Sequence, residues 1–211
     1  MPSLTTTNAL NEHFAEVIFS TNEMLIAQCY KEAISEKPLT STVFQGSIVK
    51  IVSSYDSSYL AFGLIAKINN SSLDSVHRPS ALGLTSKELE HLQPQVFDLL
   101  RKELEIYLFA YKEEGGNYNY PPLKPMMIHD FVSKTTNDEV LQLTEDISSL
   151  INLVKRNQLK PDLLSNVINL GYKLRKSDYN YLVKTGQELS LAFADELDSL
   201  IQVLKRLSKV K

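Results

Sequence analysis

Residues 44–70 read FQGSIVKIVSSYDSSYLAFGLIAKINN, with two largely apolar stretches on either side of the polar hexapeptide SSYDSS. Successive side chains of a β-strand point to opposite faces, so the alternation in these stretches predicts two strands joined by a turn. Gly63 in the second stretch predicts a β-bulge or a sharp bend, a device by which small barrels turn corners. One face of this second strand carries the bulkier apolar side chains and is expected to be the core face: Leu60, Phe62, Leu64, Ala66 and Ile68.

Several other segments have the composition of strands. FAEVIF at residues 14–19 and MLIAQCY at residues 24–30 are rich in apolar residues and are separated by the turn sequence STNE. EIYLFAYK, within residues 103–112, has high strand propensity, but the apolar residues around it also fit a helical stripe. Periodicity alone leaves both interpretations open, and we favour a strand. MMIHDFV at residues 126–132 offers one further short strand.

Residues 85–101 change to helical composition. Thr85 or Ser86 can cap this helix, and Glu88 is placed to complete a capping box. Pro94 is expected to split or kink the helix, because proline lacks the backbone N–H that a helix interior requires. The segment therefore predicts a helical insertion between two strands.

Helical patterns dominate the sequence from Thr136 onwards. Thr136 and Glu139 match a second capping box, and Pro161 suits the first position of a further helix. A last helix is expected from about residue 178 to residue 206. Its apolar seam is expected to be covered by the preceding helices at Leu197 and to be free for a second chain towards Leu207. The seam consists of Leu189, Phe193, Leu197, Leu200, Leu204 and Leu207.

Strands thus precede helices along the chain, an order that is typical of an α+β fold. We expect a small N-terminal β-barrel of about five or six strands with an inserted helix, followed by a C-terminal helical bundle of about three helices. The expected boundaries are a flexible tail at residues 1–11, a barrel at residues 12–135 with its insertion at about residues 85–101, and a helical domain at residues 136–211.

The composition excludes several classes of protein. With 43% hydrophobic residues, a chain of 211 residues can bury a proper core, so it is not a disordered protein. Its 22 basic residues are scattered among 25 acidic ones, which argues against general nucleic-acid binding but leaves a local patch open. Cys29 is the single cysteine, so an internal disulfide and a multi-cysteine zinc site are both excluded, as expected in a reducing compartment.

The expected location is the cytoplasm, without insertion into a membrane. MPSLTTTNALNE at the N-terminus has neither the basic region nor the apolar region of a secretory signal. The most apolar run, YLAFGLIAKI, is interrupted by Gly63 and Lys67 before it reaches the length of a membrane span.

The sequence contains no recognisable catalytic, cofactor-binding or metal-binding pattern. Glu88 and His91 have the E-x-x-H spacing of carboxylate-bridged metal sites, but no second E-x-x-H follows. His129 and Asp130 are adjacent, so on a strand they would point to opposite faces and could not form a catalytic pair. Neither G-x-S-x-G nor the phosphate loop G-x-x-x-x-G-K-[ST] is present. We therefore expect a protein that is not an enzyme and binds no cofactor or metal.

The remaining features concern contacts with other molecules. YNYPP places Tyr118 and Tyr120 in a proline loop, where the rings either pack over the barrel or stay exposed for a partner. The basic C-terminal sequence KRLSKVK is interpreted as compensation of a helix dipole rather than as a nucleic-acid or lipid site. The candidate interaction residues are Tyr118, Tyr120, Leu200, Leu204 and Leu207.

The order of these elements resembles the HAS-barrel, the small β-barrel named for the HerA helicases and the ATP synthase subunits. The resemblance covers about residues 12–135 and is to a stand-alone version known from photosynthetic bacteria, to which the helical half would also belong. It is carried by Gly46 at a strand start, Gly63, the helix LQPQVFDLL and the segment PPLKPMMIHDFV. It also implies that residues 103–112 form a strand.

In the helicases and synthases this barrel precedes a P-loop ATPase core, whose motif this sequence lacks. The resemblance therefore does not imply ATP hydrolysis, and it implies a module that contacts subunits and partners. We expect a non-enzymatic protein–protein interaction or assembly module that binds a protein partner or forms a homo-oligomer. The alternative is an accessory protein of a HerA-like DNA-processing ATPase system.

Overall fold

The computed structural model describes residues 13–30, 43–56, 58–73 and 80–208, so the expected flexible tail lies outside the described residues. The strands are β1 (His13–Ser20), β2 (Met24–Cys29), β3 (Ile48–Val52), β4 (Leu60–Ser72), β5 (Leu100–Lys112) and β6 (Phe131–Lys134). These six strands pair antiparallel and form a closed barrel in the order β1-β2-β5-β4-β3-β6. The strand predicted at residues 103–112 is confirmed, and it begins slightly earlier than expected.

Seven helices complete the described part of the chain, which is thus an α+β protein containing a closed barrel. Two short helices lie between β4 and β5, namely α1 (Ser86–Leu92) and α2 (Gln95–Leu99). Five follow β6, namely α3 (Asn137–Leu143), α4 (Ser148–Arg156), α5 (Asp162–Leu174), α6 (Tyr179–Ala192) and α7 (Leu197–Leu207).

The two predicted capping boxes and the break at Pro94 are confirmed, and Pro161 lies one position before the first residue of α5. Thr85 forms a capping box with Glu88 at the start of α1. Thr136 forms a second one with Glu139 at the start of α3. Pro94 separates α1 from α2, as predicted from its missing backbone donor. These features depend on residues only a few positions apart, which is why the sequence predicts them well.

The interior of the barrel is a closed apolar core. Small residues such as Ala15, Ala27 and Ala61 lie beside larger ones, so the side chains fill the narrow space that six strands enclose. Cys29 is part of this core, and its burial raises the pKa of the thiol to about 11, so the thiol stays neutral at physiological pH. The larger side chains of this cluster include Phe14, Leu25, Ile51, Ile65, Leu104, Ile106, Leu108 and Met126.

The bulge predicted at Gly63 is confirmed, although the extra residue belongs to the facing strand. The pairing of β4 with β5 passes from Phe62↔Ala110 to Gly63↔Leu108, so Phe109 is the additional residue. A Cβ atom on Gly63 would lie 2.3 Å from Cγ2 of Ile106, so the two strands approach too closely here for any larger residue. The bulge leaves Phe109 buried against the helices rather than in the barrel interior.

A second apolar core lies between the outer face of the barrel and the helices. The bulky face of β4 belongs to this core, with Phe62, Leu64 and Ala66 buried against α3 to α7. Ala61 and Ile65 on the opposite face fill the barrel interior. The face of β4 that we expected to be buried is therefore buried. The opposite face of the strand is buried as well, because one face lies in the barrel interior and the helices cover the other.

The predicted helix from residue 178 to residue 206 is wrong, because the chain forms two helices there. α6 ends at Ala192, and the N–H of Glu196 donates to the carbonyl of Phe193 at 3.0 Å in the turn before α7. The turn lets α7 pack on α5, and Val203 and Leu207 enter the common core. Five helices therefore follow the barrel where about three were expected.

The break also reverses the expected order of burial along the seam. Leu197, expected in the core, has 63% of its surface exposed at the start of α7. Leu207, expected to be free, is 8% exposed and belongs to the core. The reason is that the turn before α7 changes the direction of the chain, so a stripe that is continuous in the sequence is split between two helix faces.

The last predicted strand is shorter than its apolar sequence suggested. β6 begins at Phe131, and Met127 to Asp130 form a turn instead. His129 has a backbone φ of 74°, a left-handed conformation that a strand does not contain. The side chain of Asp130 accepts a hydrogen bond from the N–H of Met127 at 2.7 Å and closes this turn.

A candidate docking surface

The proline loop after β5 packs along the outside of the barrel. Asn119 and Tyr111 exchange backbone hydrogen bonds of 2.9 Å, which folds the loop back onto β5. The Tyr118 ring meets Phe62 edge-on with 5.2 Å between ring centroids, and its burial raises the pKa of the phenol to about 12. Tyr120 stacks near Phe109 at 6.5 Å but keeps 45% of its surface exposed. Both rings therefore help to anchor the loop.

Tyr120 lines a cavity of about 630 Å³ between this loop and α4. Lys155 also lines the cavity, and its ammonium group donates to the carbonyl of Ala192 at 2.6 Å and pairs with Glu196 at 3.0 Å. The hydroxyl group of Ser149 in the wall is buried and has no hydrogen-bond partner in the described chain. No nucleophile hydrogen-bonded to a base occurs among the residues that line the cavity.

The side chains of the adjacent residues His129 and Asp130 contact different parts of the protein. The imidazole Nδ1 of His129 contacts the carboxylate of Glu16 at the surface. The carboxylate of Asp130 is fully buried and accepts hydrogen bonds from the N–H and the hydroxyl of Ser54, at 2.7 and 2.9 Å. Together with the Met127 contact, Asp130 ties the turn between β3 and β4 to the loop before β6. This arrangement is a structural clamp.

The described residues contain no group of three or more His, Cys, Asp or Glu side chains that could hold a metal ion. Glu88 of the E-x-x-H pattern is instead the capping residue of α1, where its carboxylate accepts from Thr85. Among the same residues, no helix combines the length and the apolar character needed to cross a bilayer.

A row of apolar side chains on α6 and α7 is exposed to solvent. On α6, Tyr179, Val183 and Leu191 recur at multiples of four residues, so they lie on one side of the helix. Leu197, Ile201 and Leu204 form the corresponding row on α7. We call these six side chains the α6–α7 face. Leu191 is 82% exposed and Leu197 is 63% exposed, so neither contributes much to the core.

A groove lies within part of the α6–α7 face, where Val183, Leu191 and Leu204 line it. It has a volume of about 610 Å³, and Gly186 lies in its wall between Val183 and Leu204. Gly186 is in the middle of α6, and a Cβ atom added there would meet no atom within 4 Å. Packing within the described chain therefore does not require a glycine at this position.

The structure divides the five candidate interaction residues. Leu204, 37% exposed, lies on the α6–α7 face, and Leu200 is half-buried behind it. Leu207 is in the core, and the tyrosine loop lies on the barrel away from the groove lining. The sequence reasoning missed Val183 and Leu191, although their spacing with Tyr179 could have revealed a second stripe. The sequence prediction considered only the seam through Leu189 and Phe193, and this seam lies on the buried side of α6.

No protein-family model matches the sequence. No curated protein matches it at a significant level.

Proposed function

We propose that this chain is a non-enzymatic protein–protein interaction or assembly module that binds its partner through the α6–α7 face. The observation that carries the proposal is the exposure of apolar side chains on α6 and α7, above all Leu191 and Leu197, beside a groove that Leu191 and Leu204 line. The largest contiguous apolar patch on a typical monomeric protein covers about 300–600 Å² and is often functional.

The two most exposed leucines of this face give a first estimate of the binding energy that it can supply. Full burial of a leucine side chain is worth about 1.5–3 kcal/mol. Leu191 and Leu197 together would therefore contribute about 3 kcal/mol or more to binding, before the entropic cost of association is subtracted. The other members of the face are partly exposed and would add to this energy.

The barrel belongs to the same proposal as the scaffold that holds the helices. Its closed form and the helices inserted between β4 and β5 agree with the resemblance to the HAS-barrel, which we retain as a proposal. We also propose an N-terminal barrel followed by a C-terminal helical bundle, since every described strand precedes α3. A cytoplasmic location is proposed from the composition alone.

Affinity capture from a lysate of the native host tests this function. The variant Leu191→Asp/Leu197→Asp places two charges on the face, where the exposed positions should tolerate them without loss of the fold. Tyr55→Asp/Leu123→Asp is the matched control, because these residues are 79% and 75% exposed but lie in loops of the barrel.

The wild type and the control should recover the same partner in stoichiometric amounts, and the face variant should lose it. Circular dichroism of all three proteins should show the same helix content. Equal recovery by all three proteins, or a loss confined to the control, would contradict the proposal.

A further inference from the structure

We propose that the partner on the α6–α7 face is a second copy of this chain, held by a two-fold axis that sets the two α7 helices antiparallel. The inference rests on the proposed function and adds to it the identity of the partner and the symmetry of the contact. It is carried by the charges along α7 and by the glycine in the groove.

The two ends of α7 carry opposite charges. Asp195 and Asp198 lie at its N-terminal end, and Lys205 lies at its C-terminal end. All three side chains are exposed, and none forms an ion pair with another described residue. This differs from Glu196, which pairs with Lys155, and from Arg206, which pairs with Asp162 at 3.1 Å.

This distribution selects one of two symmetric arrangements. A symmetric dimer places its two-fold axis within the plane of the contact. If the axis runs along α7, the acidic ends of the two copies meet, and so do the basic ends. If it runs across α7, the acidic end of each copy meets the basic end of the other. Opposite charges favour the second arrangement, in which the α7 helices are antiparallel.

The register of the antiparallel arrangement follows from the sequence of α7. Ile201 is the central exposed apolar residue of the helix, with Leu197 four positions before it and Lys205 four positions after it. Pairing of the two Ile201 side chains therefore brings Leu197 and Asp198 of one copy to Lys205 of the other. The lysine stem can cover the leucine while its ammonium group pairs with the carboxylate.

Gly186 gives a second, independent reason for a close helix contact. Glycine within a helix is less favourable than alanine, because it loses more conformational freedom on folding. No atom of the described chain occupies the space beside Gly186, so the fold of one copy does not explain this residue. The close approach of a backbone or side chain from outside explains it, and the groove beside Gly186 is open to such an approach.

The size of the face sets the expected strength of association. α6 has 14 residues and α7 has 11, so the helices are about 21 and 16 Å long at 1.5 Å per residue. Two helices about 10 Å apart then present about 400 Å² per copy, or about 800 Å² in total. This area is smaller than the interface of a standard stable complex. The dimer should therefore form reversibly, at micromolar or higher concentrations of the chain.

Sedimentation equilibrium of the purified chain from about 1 to 500 µM tests the inference. The wild type should pass from monomer to dimer across this range. Lys205→Glu and Asp198→Lys should each weaken the dimer about tenfold or more, since each change places like charges together at both symmetric contacts. The double variant Asp198→Lys/Lys205→Glu should recover most of the affinity, and Lys87→Glu on α1 controls for the change in net charge.

Gly186→Ala separates association from stability. In dilute solution, where the chain is monomeric, this variant should melt at a higher temperature because alanine favours the helix. Its dimer should nevertheless be at least several-fold weaker. A purely structural role of Gly186 would instead lower the melting temperature or leave the association unchanged, and either result would contradict a close contact at Gly186.

The possible failures are distinguishable. A wild-type chain that stays monomeric up to about 500 µM overturns the second-copy inference, but the capture experiment with the face variant still decides the proposed function. A dimer that is insensitive to the charge exchange and to Gly186→Ala also overturns the inference, because its contact would then lie elsewhere.

Discussion

Replacing Leu207 by alanine should destabilise the protein strongly, whereas the same replacement of Leu197 should have little effect. Leu207 is 8% exposed and packs with Val203 in the core beneath α7. Leu→Ala at buried sites lowers the free energy of unfolding by about 2–5 kcal/mol. Because Leu207 lies at the end of α7, we expect a loss in the lower part of this range, about 2–3 kcal/mol. Leu197 is 63% exposed, so its replacement should change the free energy of unfolding by about 0.5 kcal/mol or less.

Urea unfolding followed by circular dichroism at 222 nm measures this difference. The protein should be kept at about 1 µM so that association does not contribute to the measured stability. In thermal unfolding, about 2–3 kcal/mol corresponds to a decrease of about 4–12 °C for a chain of this size. Equal losses from the two variants, or a larger loss from Leu197→Ala, would refute the assigned packing of α7. A larger loss from Leu197→Ala is the result expected if residues 178–206 formed a single continuous helix.

Three further results are expected. Gly63→Ala should cost about 1–3 kcal/mol in chemical denaturation, because the new Cβ would lie 2.3 Å from a methyl carbon of Ile106; an unchanged midpoint would argue against the close approach of β4 and β5. Asp130→Asn should cost about 1–3 kcal/mol, because an amide cannot accept from both Ser54 and Met127 as the carboxylate does, and an equal stability would dismiss the clamp. Burial raises the pKa of Tyr118 from 10 to about 12, so its stabilising contribution is fully present below pH 10 and is lost as the pH rises through 12. Tyr118→Phe should reduce the alkaline loss of stability between pH 10 and 12, and an unchanged pH profile would contradict this assignment.

The local structure of this protein was largely predictable from short stretches of sequence. The capping boxes at Thr85 and Thr136 are complete within four residues each, so no distant contact is needed to form them. Pro94 acts through its own missing N–H, and Gly63 acts through its missing Cβ. The choice between helix and strand at residues 103–112 was also resolved correctly, because the aromatic and β-branched content of that segment fits a pleated surface.

The candidate site was predicted only in part. Leu204 was expected at the uncovered end of the seam and is exposed on the α6–α7 face, whereas Leu207 was expected there and is in the core. The chain around residues 193–196 contains neither glycine nor proline, so the sequence offers no local signal for the turn that separates these two roles. Contacts with a helix that is distant in the sequence stabilise the turn instead. The pairing of Arg206 with Asp162 and the packing of Val203 on α5 hold α7 in its place.

The sequence alone therefore determined most of the strands and helices, because caps, turns and alternation act between residues that are near each other in the chain. The division of the last helix into α6 and α7 depended on the tertiary structure. The tertiary structure alone decided which faces are buried. Both faces of β4 are apolar, and only the helices packed outside the barrel show why Phe62 and Leu64 face away from its interior. In the same way, α6 and α7 each carry two apolar stripes, and the docking of α7 on α5 decides which stripe enters the core. Burial depends on what covers a surface, and the covering residues lie far away in the sequence.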